Sequence, residues 1–511
     1  MKPGAQFRLN VLLKRQILVS RNFLFYVLAI AVFGSLLWLV FKQGSKLEMG
    51  SAATASAGDS NQVIGAPNDG LASSSQGRVI IDLLSELSQN VGHPFSLLLL
   101  QIATIVVFSR LVAFLLTKIS QPRVVGEIVA GIILGPSVLG LLWPAASTFL
   151  FRPDSLPNLQ FFSQLGLILF MFVTGLELDV YLLKHKAHTA VVVSHVSIIF
   201  PFFLGVSLAY FLYAALAPAH ISFLAFGLFM GCAMSITAFP VLARIVQERG
   251  LTLSPLGILA ITCAAADDVT AWCILAAVIA IVQSGTVVSA ALTVTLAVVY
   301  VLAMLKLVRP LLQRLEARYA STDSINGTFV AIALVVVVAS AFITEVIGIH
   351  ALFGAFLAGV CMPAQTGLRK SLAAKVEAVS LVILLPLFFA FTGLKTQIGL
   401  LNNAYAWSIC GLIILVAVVG KFGGSLVAAK FTGQSWSDSL AIGALMNTRG
   451  LVELIVLNIG YDLGVLSPMA FTMMVLMALT TTWMTCPALS LIQRFGWKRA
   501  PMPVPPVPVQ L

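Results

Sequence analysis

The chain has 511 residues, of which 59% are hydrophobic and only 10% are charged, and its mean hydropathy is +1.02. This composition excludes a water-soluble globular fold and predicts an all-α polytopic membrane protein in a lipid bilayer. The formal net charge of +11 does not indicate a nucleic-acid partner, because the basic residues lie in short loops between apolar segments, as topology signals do.

Fourteen apolar segments are long enough to cross a bilayer. The first, near 23–41, is followed by a Ser/Ala/Gly-rich stretch at 43–92, whose composition predicts a flexible outer linker. Small residues at 53–57 resemble a cleavage site, but their distance from the apolar core favours a retained anchor. The other spans are expected near 95–117, 123–142, 159–177, 189–215, 221–246, 254–283, 286–306, 326–346, 350–367, 377–394, 404–431, 437–459 and 467–492.

The positions of Lys and Arg predict the topology. Alternate loops, together with the N-terminal segment, collect 22 of the 30 basic residues, whereas the opposite side collects 5. By the positive-inside rule both termini are cytoplasmic, in the cell (inner) membrane. Four parts are expected: the N-terminus with its anchor (1–42), the outer linker (43–92), a membrane domain (93–494) and a proline-rich cytoplasmic tail (495–511).

Two adjacent aspartates, Asp267 and Asp268, lie inside an apolar stretch that runs from Ile258 to Val282. A carboxylate at mid-bilayer costs roughly 2.5–3.5 kcal/mol, and two neighbours also repel each other. Folding alone does not require that cost, so the pair predicts an ion or proton site. The alternative is a pair of buried acids neutralised by a basic partner, which could easily satisfy one aspartate but not both.

A second signal is the segment from Ser235 to Arg244, in which Pro240 is placed mid-span and is expected to interrupt its helix. Broken helices at the membrane midplane are how transporters build ion sites from backbone carbonyls and half-helix ends. Ser235 and Thr237 would add hydroxyl oxygens. A simple proline kink is the alternative.

A third signal lies in the second half of the chain, at Asn447-Thr448-Arg449-Gly450. This glycine-interrupted segment mirrors the proline-interrupted one, which points to an inverted repeat with a site between its halves. Arg449 and Glu453 are four residues apart and can pair on one helical face. That pair could equally be structural.

The fourth signal is Lys421, an ammonium deep within an apolar segment. At that depth a lysine needs a counter-ion or must lose its proton. Asp267 is a candidate partner, and snorkelling to the membrane surface is the alternative.

Five motifs carry a resemblance to a known family. In chain order they are QPRVVGEIVAGIILGPSVLG (121–140), GLILFMFVTGLELD (166–179), SITAFPVLARI (235–245), AADDVTAW (265–272) and NTRGLVEL (447–454). Together they resemble the monovalent cation:proton antiporter-2 family, nearest its Kef-type and plant cation/proton exchanger-like branch. The resemblance covers about 93–494. It implies the sodium/proton-antiporter fold, with thirteen helices after the anchor, inverted repeats, two crossed broken helices, elevator-like alternating access and a homodimer.

The resemblance also implies roles for individual residues. Asp268 matches the ion-binding aspartate, and Asp267 matches the acidic or amide position before it. Thr237 lies at the first helix break, and Asn447 and Thr448 lie near the second. Lys421 matches the basic residue that bridges to the first aspartate in members with paired acids. Kef-type proteins usually carry a glutamine at the position of Asp267 and a C-terminal nucleotide-binding domain, and this chain shows neither.

The expected function is exchange of Na⁺ or K⁺ for protons, with Asp268 as the direct ligand of the transported cation. A carboxylate in a narrow cavity holds a proton or a cation but not comfortably both. A cation channel or a transporter-like sensor is the alternative. No nucleophile–base arrangement or metal-ligand cluster indicates an enzyme, and no cofactor is expected beyond the transported ions.

Overall fold

The regular structure of the chain is helical throughout the part that the computed structural model describes, namely residues 93–119, 121–177, 187–218, 221–252, 254–284, 287–319, 327–363 and 366–495. The predicted anchor, the linker and nearly all of the tail lie outside these residues. Residues 93–107 and 139–156 form one compact unit, and the remaining described residues form a second, which holds every candidate site residue.

Twenty α-helices are present in the described ranges. They are α1 (Pro94–Lys118), α2 (Arg123–Leu134), α3 (Leu139–Leu142), α4 (Pro144–Leu150), α5 (Leu156–Glu177), α6 (Ala187–Leu216), α7 (Phe223–Ser235), α8 (Phe239–Glu248), α9 (Pro255–Ser284), α10 (Val287–Ala303), α11 (Arg309–Tyr319), α12 (Gly327–Ile347), α13 (Ala351–Cys361), α14 (Thr366–Val379), α15 (Leu385–Lys395), α16 (Ala404–Val418), α17 (Gly424–Phe431), α18 (Trp436–Met446), α19 (Leu451–Asp462) and α20 (Pro468–Phe495). Short π-helical segments at Met304–Val308, Ser380–Leu384 and Val419–Gly423 join α10 to α11, α14 to α15 and α16 to α17.

Eleven helical segments in the described ranges are long and apolar enough to cross a membrane, and counting the bent pair α18–α19 as one span gives twelve. The predicted number of fourteen is therefore not confirmed. The span near 23–41 falls outside the described residues. The span near 350–367 is shorter than expected, because α13 ends at Cys361, just before Pro363. At about 1.5 Å per residue, its 11 residues cover roughly half of a 30 Å hydrocarbon core.

Both predicted interruptions are present as pairs of half-helices. The first break occupies residues 236–238, between α7 and α8. The expectation that Pro240 interrupts its helix was wrong in detail: Pro240 is the second residue of α8, where a missing N–H removes no helical hydrogen bond. The second break, at residues 447–450, bends α18 from α19 by 40°. A Cβ on Gly450 would lie 2.7 Å from Val241 Cγ2, so this position needs a glycine for close approach to α8.

At two places a helix from the first half of the chain crosses a helix from the second half closely, and a glycine lies at each crossing. A Cβ on Gly131 of α2 would lie 2.6 Å from Ala390 Cα of α15, and a Cβ on Gly359 of α13 would lie 2.2 Å from Phe172 O of α5. Each crossing joins an Ala-Gly dipeptide, at 130–131 or 358–359, to a Thr-Gly-Leu tripeptide, at 392–394 or 174–176. In one crossing the Ala-Gly dipeptide comes from the first half of the chain, and in the other it comes from the second half. This reciprocal arrangement agrees with the predicted inverted repeat.

Candidate cation site

The two helix breaks face each other beside the middle of α9. The Ala238 amide donates to the Thr448 carbonyl at 3.1 Å, and the Thr237 hydroxyl lies 3.1 Å from the Met446 carbonyl. α9 packs against both α8 and α18 and carries Asp267 and Asp268 near its centre. Half-helix ends, hydroxyls and carboxylates therefore converge at one buried point, which is the arrangement that broken-helix ion sites use.

Asp267 is fully buried and surrounded by hydrogen-bond donors. Its Oδ1 accepts from Ser194 at 2.5 Å, and its Oδ2 lies within 2.8–2.9 Å of Ser197 Oγ, Thr237 Oγ1 and Lys421 Nζ. A carboxylate has about four lone-pair sites, so this shell leaves Asp267 with little capacity for a further ligand unless one donor moves.

Lys421 lies in the π-helical segment Val419–Gly423 and is fully buried. The Lys421–Asp267 contact considered from the sequence is present as a salt bridge of 2.8 Å with both side chains at 0% exposure. The ammonium also donates to the carbonyl of Ser235 at 2.6 Å and to the carbonyl and hydroxyl of Ser197, each at 2.8 Å. Snorkelling to the surface is therefore excluded for Lys421 in this structure.

Asp268 differs from its neighbour. Its side chain is 2% exposed, and no side chain among the described residues donates a hydrogen bond to it; the donor beside it is the backbone N–H of Phe239, at the start of α8. Successive residues on an α-helix point about 100° apart, so Asp268 faces away from the lysine-centred shell of Asp267. A buried carboxylate without a charged partner is costly and is satisfied by gaining a proton or a cation.

The remaining predicted residues make polar contacts of their own around the two breaks. The Ser235 hydroxyl donates to the Cys232 carbonyl at 2.8 Å, so Ser235 contributes its carbonyl, not its hydroxyl, to Lys421. Thr448 Oγ1 lies 3.4 Å from Thr485 Oγ1. Asn447 is buried, and its Oδ1 has no hydrogen-bond partner in the described part of the chain.

Arg449 and Glu453 form the predicted pair at 3.1 Å, with both side chains at 0% exposure. The guanidinium also donates to the last carbonyls of α7, at 2.7 Å to Ala233 and 2.6 Å to Met234. Cations at a helix C-terminus offset its unpaired carbonyls and partial negative charge. This geometry favours the structural interpretation of the pair, since Arg449 caps the first half-helix from the second break.

Sequence reasoning missed Ser194 and Ser197 of α6, which supply two of the four donors to Asp267. A signal was available, because hydroxyls three residues apart share one face of a helix, and both lie in an otherwise apolar span. What the sequence lacked was any indication that this face meets Asp267, which lies 70 or more residues further along the chain.

The chemistry open to this site is exchange at one carboxylate. A buried carboxylate such as Asp268 has the chemistry to take up either a proton or a hard monovalent cation. The described residues contain no group of three or more His, Cys, Asp or Glu side chains arranged to hold a metal ion.

Comparison with known proteins shows which family this chain resembles. The model of the transmembrane sodium/hydrogen exchanger family matches residues 103–492. The Na(+)/H(+) antiporter NhaS4 of Synechocystis sp. is 44% identical over 392 residues, which cover 76% of this chain and 96% of that protein. Cation/H(+) antiporter 17 of Arabidopsis thaliana is 42% identical over 405 residues, which cover 79% of this chain and 49% of that protein.

A fungal relative and a solved structure extend the comparison. The K(+)/H(+) antiporter 1 of Saccharomyces cerevisiae is 32% identical over 423 residues, which cover 81% of this chain and 48% of that protein. The chain thus spans about half the length of the plant and yeast relatives. The sodium proton antiporter MjNhaP1 of Methanocaldococcus jannaschii has a similar fold, with a TM-score of 0.60, 14% identity and coverage of 78% of this chain and 100% of that one.

Proposed function

The chain belongs to the sodium/hydrogen exchanger family, and we propose that it is a secondary active antiporter that exchanges a monovalent cation for protons across a membrane. The chain is a multi-pass membrane protein. The observation that carries the proposed mechanism is Asp268, a buried carboxylate at the helix crossing to which no side chain among the described residues donates a hydrogen bond and which has only the Phe239 backbone N–H as a neighbouring donor.

The proposed mechanism is competition for Asp268. A proton or a cation neutralises the carboxylate, so the loaded site crosses the membrane region at lower cost than the bare charge. Loading with a cation from one side and with protons from the other then exchanges the two. Thr237 and the carbonyls of the breaks would complete an oxygen shell suited to a hard cation.

Asp267 and Lys421 form the second element of the mechanism. They make a neutral pair in the present structure. If the pair opens when a cation enters, a second proton can be carried and the exchange becomes electrogenic. A permanently neutral residue at position 267 would favour electroneutral exchange.

Three further features belong to the proposal. The charge distribution supports cytoplasmic termini and the cell (inner) membrane. The family resemblance supports a homodimer and elevator-like movement. Relatives described as sodium and as potassium antiporters are both similar to this chain, so both cations are substrates to be tested. Every relative named above is described as an antiporter, and the channel and sensor alternatives gain no support.

The test is cation-driven proton flux in proteoliposomes that contain the full chain. The wild-type protein should acidify or alkalinise the lumen in response to an imposed Na⁺ or K⁺ gradient, with saturable dependence on the cation. Asp268→Asn should abolish this flux, because an amide neither titrates nor offers a charged ligand. Asp154→Asn makes the same chemical change at an exposed carboxylate and should retain the flux.

Two results would contradict the proposal. Undiminished exchange in Asp268→Asn would remove Asp268 from the site. Large currents that need no proton gradient and do not saturate would favour a channel.

A further inference from the structure

Ser197 and Pro201 lie four residues apart inside α6. In an uninterrupted helix the N–H of residue 201 would donate to the carbonyl of residue 197. Proline has no N–H, so the Ser197 carbonyl loses its intrahelical partner. In a membrane interior a freed carbonyl must find another donor.

The donor that the freed carbonyl finds is Lys421. Its Nζ lies 2.8 Å from the Ser197 carbonyl oxygen and 2.8 Å from the Ser197 hydroxyl. Both residues are fully buried. The same serine therefore offers the ammonium two neutral acceptors, one from its backbone and one from its side chain, while its hydroxyl proton goes to Asp267.

The backbone around Lys421 is shaped for this contact. Gly420 lies directly against Pro201: a Cβ there would be 2.9 Å from Pro201 Cβ and 3.0 Å from Pro201 Cα. The π-helical turn at Val419–Gly423 packs against α6. A π-bulge inserts a residue into a helix and redirects the side chains that follow, and such bulges are frequent at functional positions.

We propose that Ser197 and Pro201 form a lysine-docking element that supplies the Lys421 ammonium with neutral acceptors in addition to Asp267 and thereby sets the pH range of exchange. Asp267 is one of four acceptors around Nζ; the Ser235 carbonyl and the two oxygens of Ser197 are the others. When Asp267 takes up a proton or turns towards an entering cation, three neutral acceptors remain. Lys421 then stays charged and in place.

This inference deepens the proposed antiport function and rests on it. Ser197 and Pro201 are positioning residues: Pro201 leaves the Ser197 carbonyl to Lys421, and the Ser197 hydroxyl contacts both Lys421 and Asp267. The titratable and charged groups around Lys421 are Cys263 and Asp267 of α9, with Asp268 on the adjoining face of that helix and Arg449 and Glu453 at the second break.

The test compares pH profiles of exchange for variants of the docking element. Pro201→Ala restores the N–H that competes for the Ser197 carbonyl, and Ser197→Ala removes the hydroxyl. Each change weakens the charged form of Lys421 relative to the neutral amine. The alkaline limb of the pH profile should therefore move to lower pH, by about one unit for each hydrogen bond to a charged group. Ser197→Thr keeps the hydroxyl and should restore the wild-type profile.

Matched controls separate this effect from general damage. Pro487 lies inside α20 as Pro201 lies inside α6, and Pro487→Ala should leave the profile in place. Ser425 is fully buried, and its hydroxyl has no hydrogen-bond partner in the described ranges; Ser425→Ala should do likewise. If Pro201→Ala does not fold, the contrast between Ser197→Ala and Ser197→Thr decides.

The outcomes are distinct. Wild-type pH profiles for Pro201→Ala and Ser197→Ala, alongside inactive Asp268→Asn, would overturn the docking element and leave the antiport function standing. Equal shifts in the Pro487→Ala and Ser425→Ala controls would overturn it as well. Absence of exchange in the wild-type protein would overturn the proposed function itself.

Discussion

Asp267 and Asp268 are adjacent on α9, yet four side-chain donors surround Asp267, whereas no side chain in the described part of the chain donates to Asp268. The difference arises because Asp267 faces α6, the first break and Lys421, and Asp268 points about 100° away. The two carboxylates therefore have different environments. Asp267 holds a lysine in place, and Asp268 is left with unused acceptor capacity.

Asp267→Asn should reduce exchange without abolishing it and should change its voltage dependence. The amide retains hydrogen-bonding groups for the α6 serines, and Lys421 keeps three neutral acceptors. Residue 267 can, however, no longer take up and release a proton. Electrical recordings of the transport current on supported membranes, with the cation-driven proton flux measured in parallel, would show the changed voltage dependence. A variant as inactive as Asp268→Asn would contradict the division of roles between the two aspartates.

Arg449→Met should lower the stability of the protein severely. It leaves the Glu453 carboxylate and the carbonyls of Ala233 and Met234 buried without their donor, and breaking one side of a buried ion pair costs about 3–5 kcal/mol. Thermal unfolding in detergent would measure the loss.

The natural control is Arg244→Met. Arg244 and Glu248 form an i,i+4 pair like Arg449 and Glu453, but their side chains are 37% and 51% exposed. Exposed pairs contribute less than about 1 kcal/mol. Similar losses in both variants would mean that burial and the α7 carbonyls add nothing to the Arg449 pair.

Gly175→Ala should prevent normal packing of α5 against α13. The new Cβ would lie 2.2 Å from Phe356 O, a backbone atom that cannot rotate away. Overpacking of this kind costs about 1–3 kcal/mol or more. Gly411→Ala in α16 meets nothing within 4 Å and should be tolerated. Fluorescence-detected size exclusion and thermal unfolding of both variants would check the contrast, and a stable Gly175→Ala protein would contradict the close crossing.

His350 should make stability depend on pH. It lies between α12 and α13, outside the spans, at a positive φ of 77°. Burial lowers the pKa of His350 below its usual 6.5, although Glu345 and Asp462, the latter paired with Lys395, act in the opposite direction. The unfolded chain then takes up a proton that the folded protein resists. The stabilisation is complete above about pH 6.5 and is lost as the pH falls through the folded pKa.

Replacement of His350 by Asn should remove that part of the pH dependence, since Asn tolerates positive φ better than most residues and does not titrate. Melting temperatures of the wild-type protein and the variant between pH 7 and pH 5 would be compared. Parallel curves for the two proteins would show that His350 does not contribute.

Much of the fold could be predicted from hydropathy, and the failures have local causes. Spans such as 95–117 and 254–283 correspond closely to α1 and α9. The apolar segment at 350–367 predicts a full span, yet α13 ends before Pro363. The prediction that Pro240 itself interrupts its helix is wrong, because proline fits the first turn of a helix and the chain is extended just before α8.

The candidate site was only partly accessible from the sequence. Asp267, Asp268, Lys421 and Arg449 stand out because a charge within an apolar segment is costly wherever it lies. Their roles as ion ligands or supports stay predictions. Ser194 and Ser197 carry no such cost, since a helical serine can donate to its own backbone, so nothing in their local sequence distinguishes them from ordinary span residues.

By itself the sequence determined that charges must be accommodated in the membrane interior, because apolar length and residue charge are properties of a local segment. Only the tertiary structure decided which aspartate is surrounded by side-chain donors and which is not. That outcome depends on donors 73, 70, 30 and 154 residues away from Asp267. Hydrogen bonds act over about 3 Å, so the choice is made where α6, the first break, α9 and the π-helical turn meet, and not in any one of them.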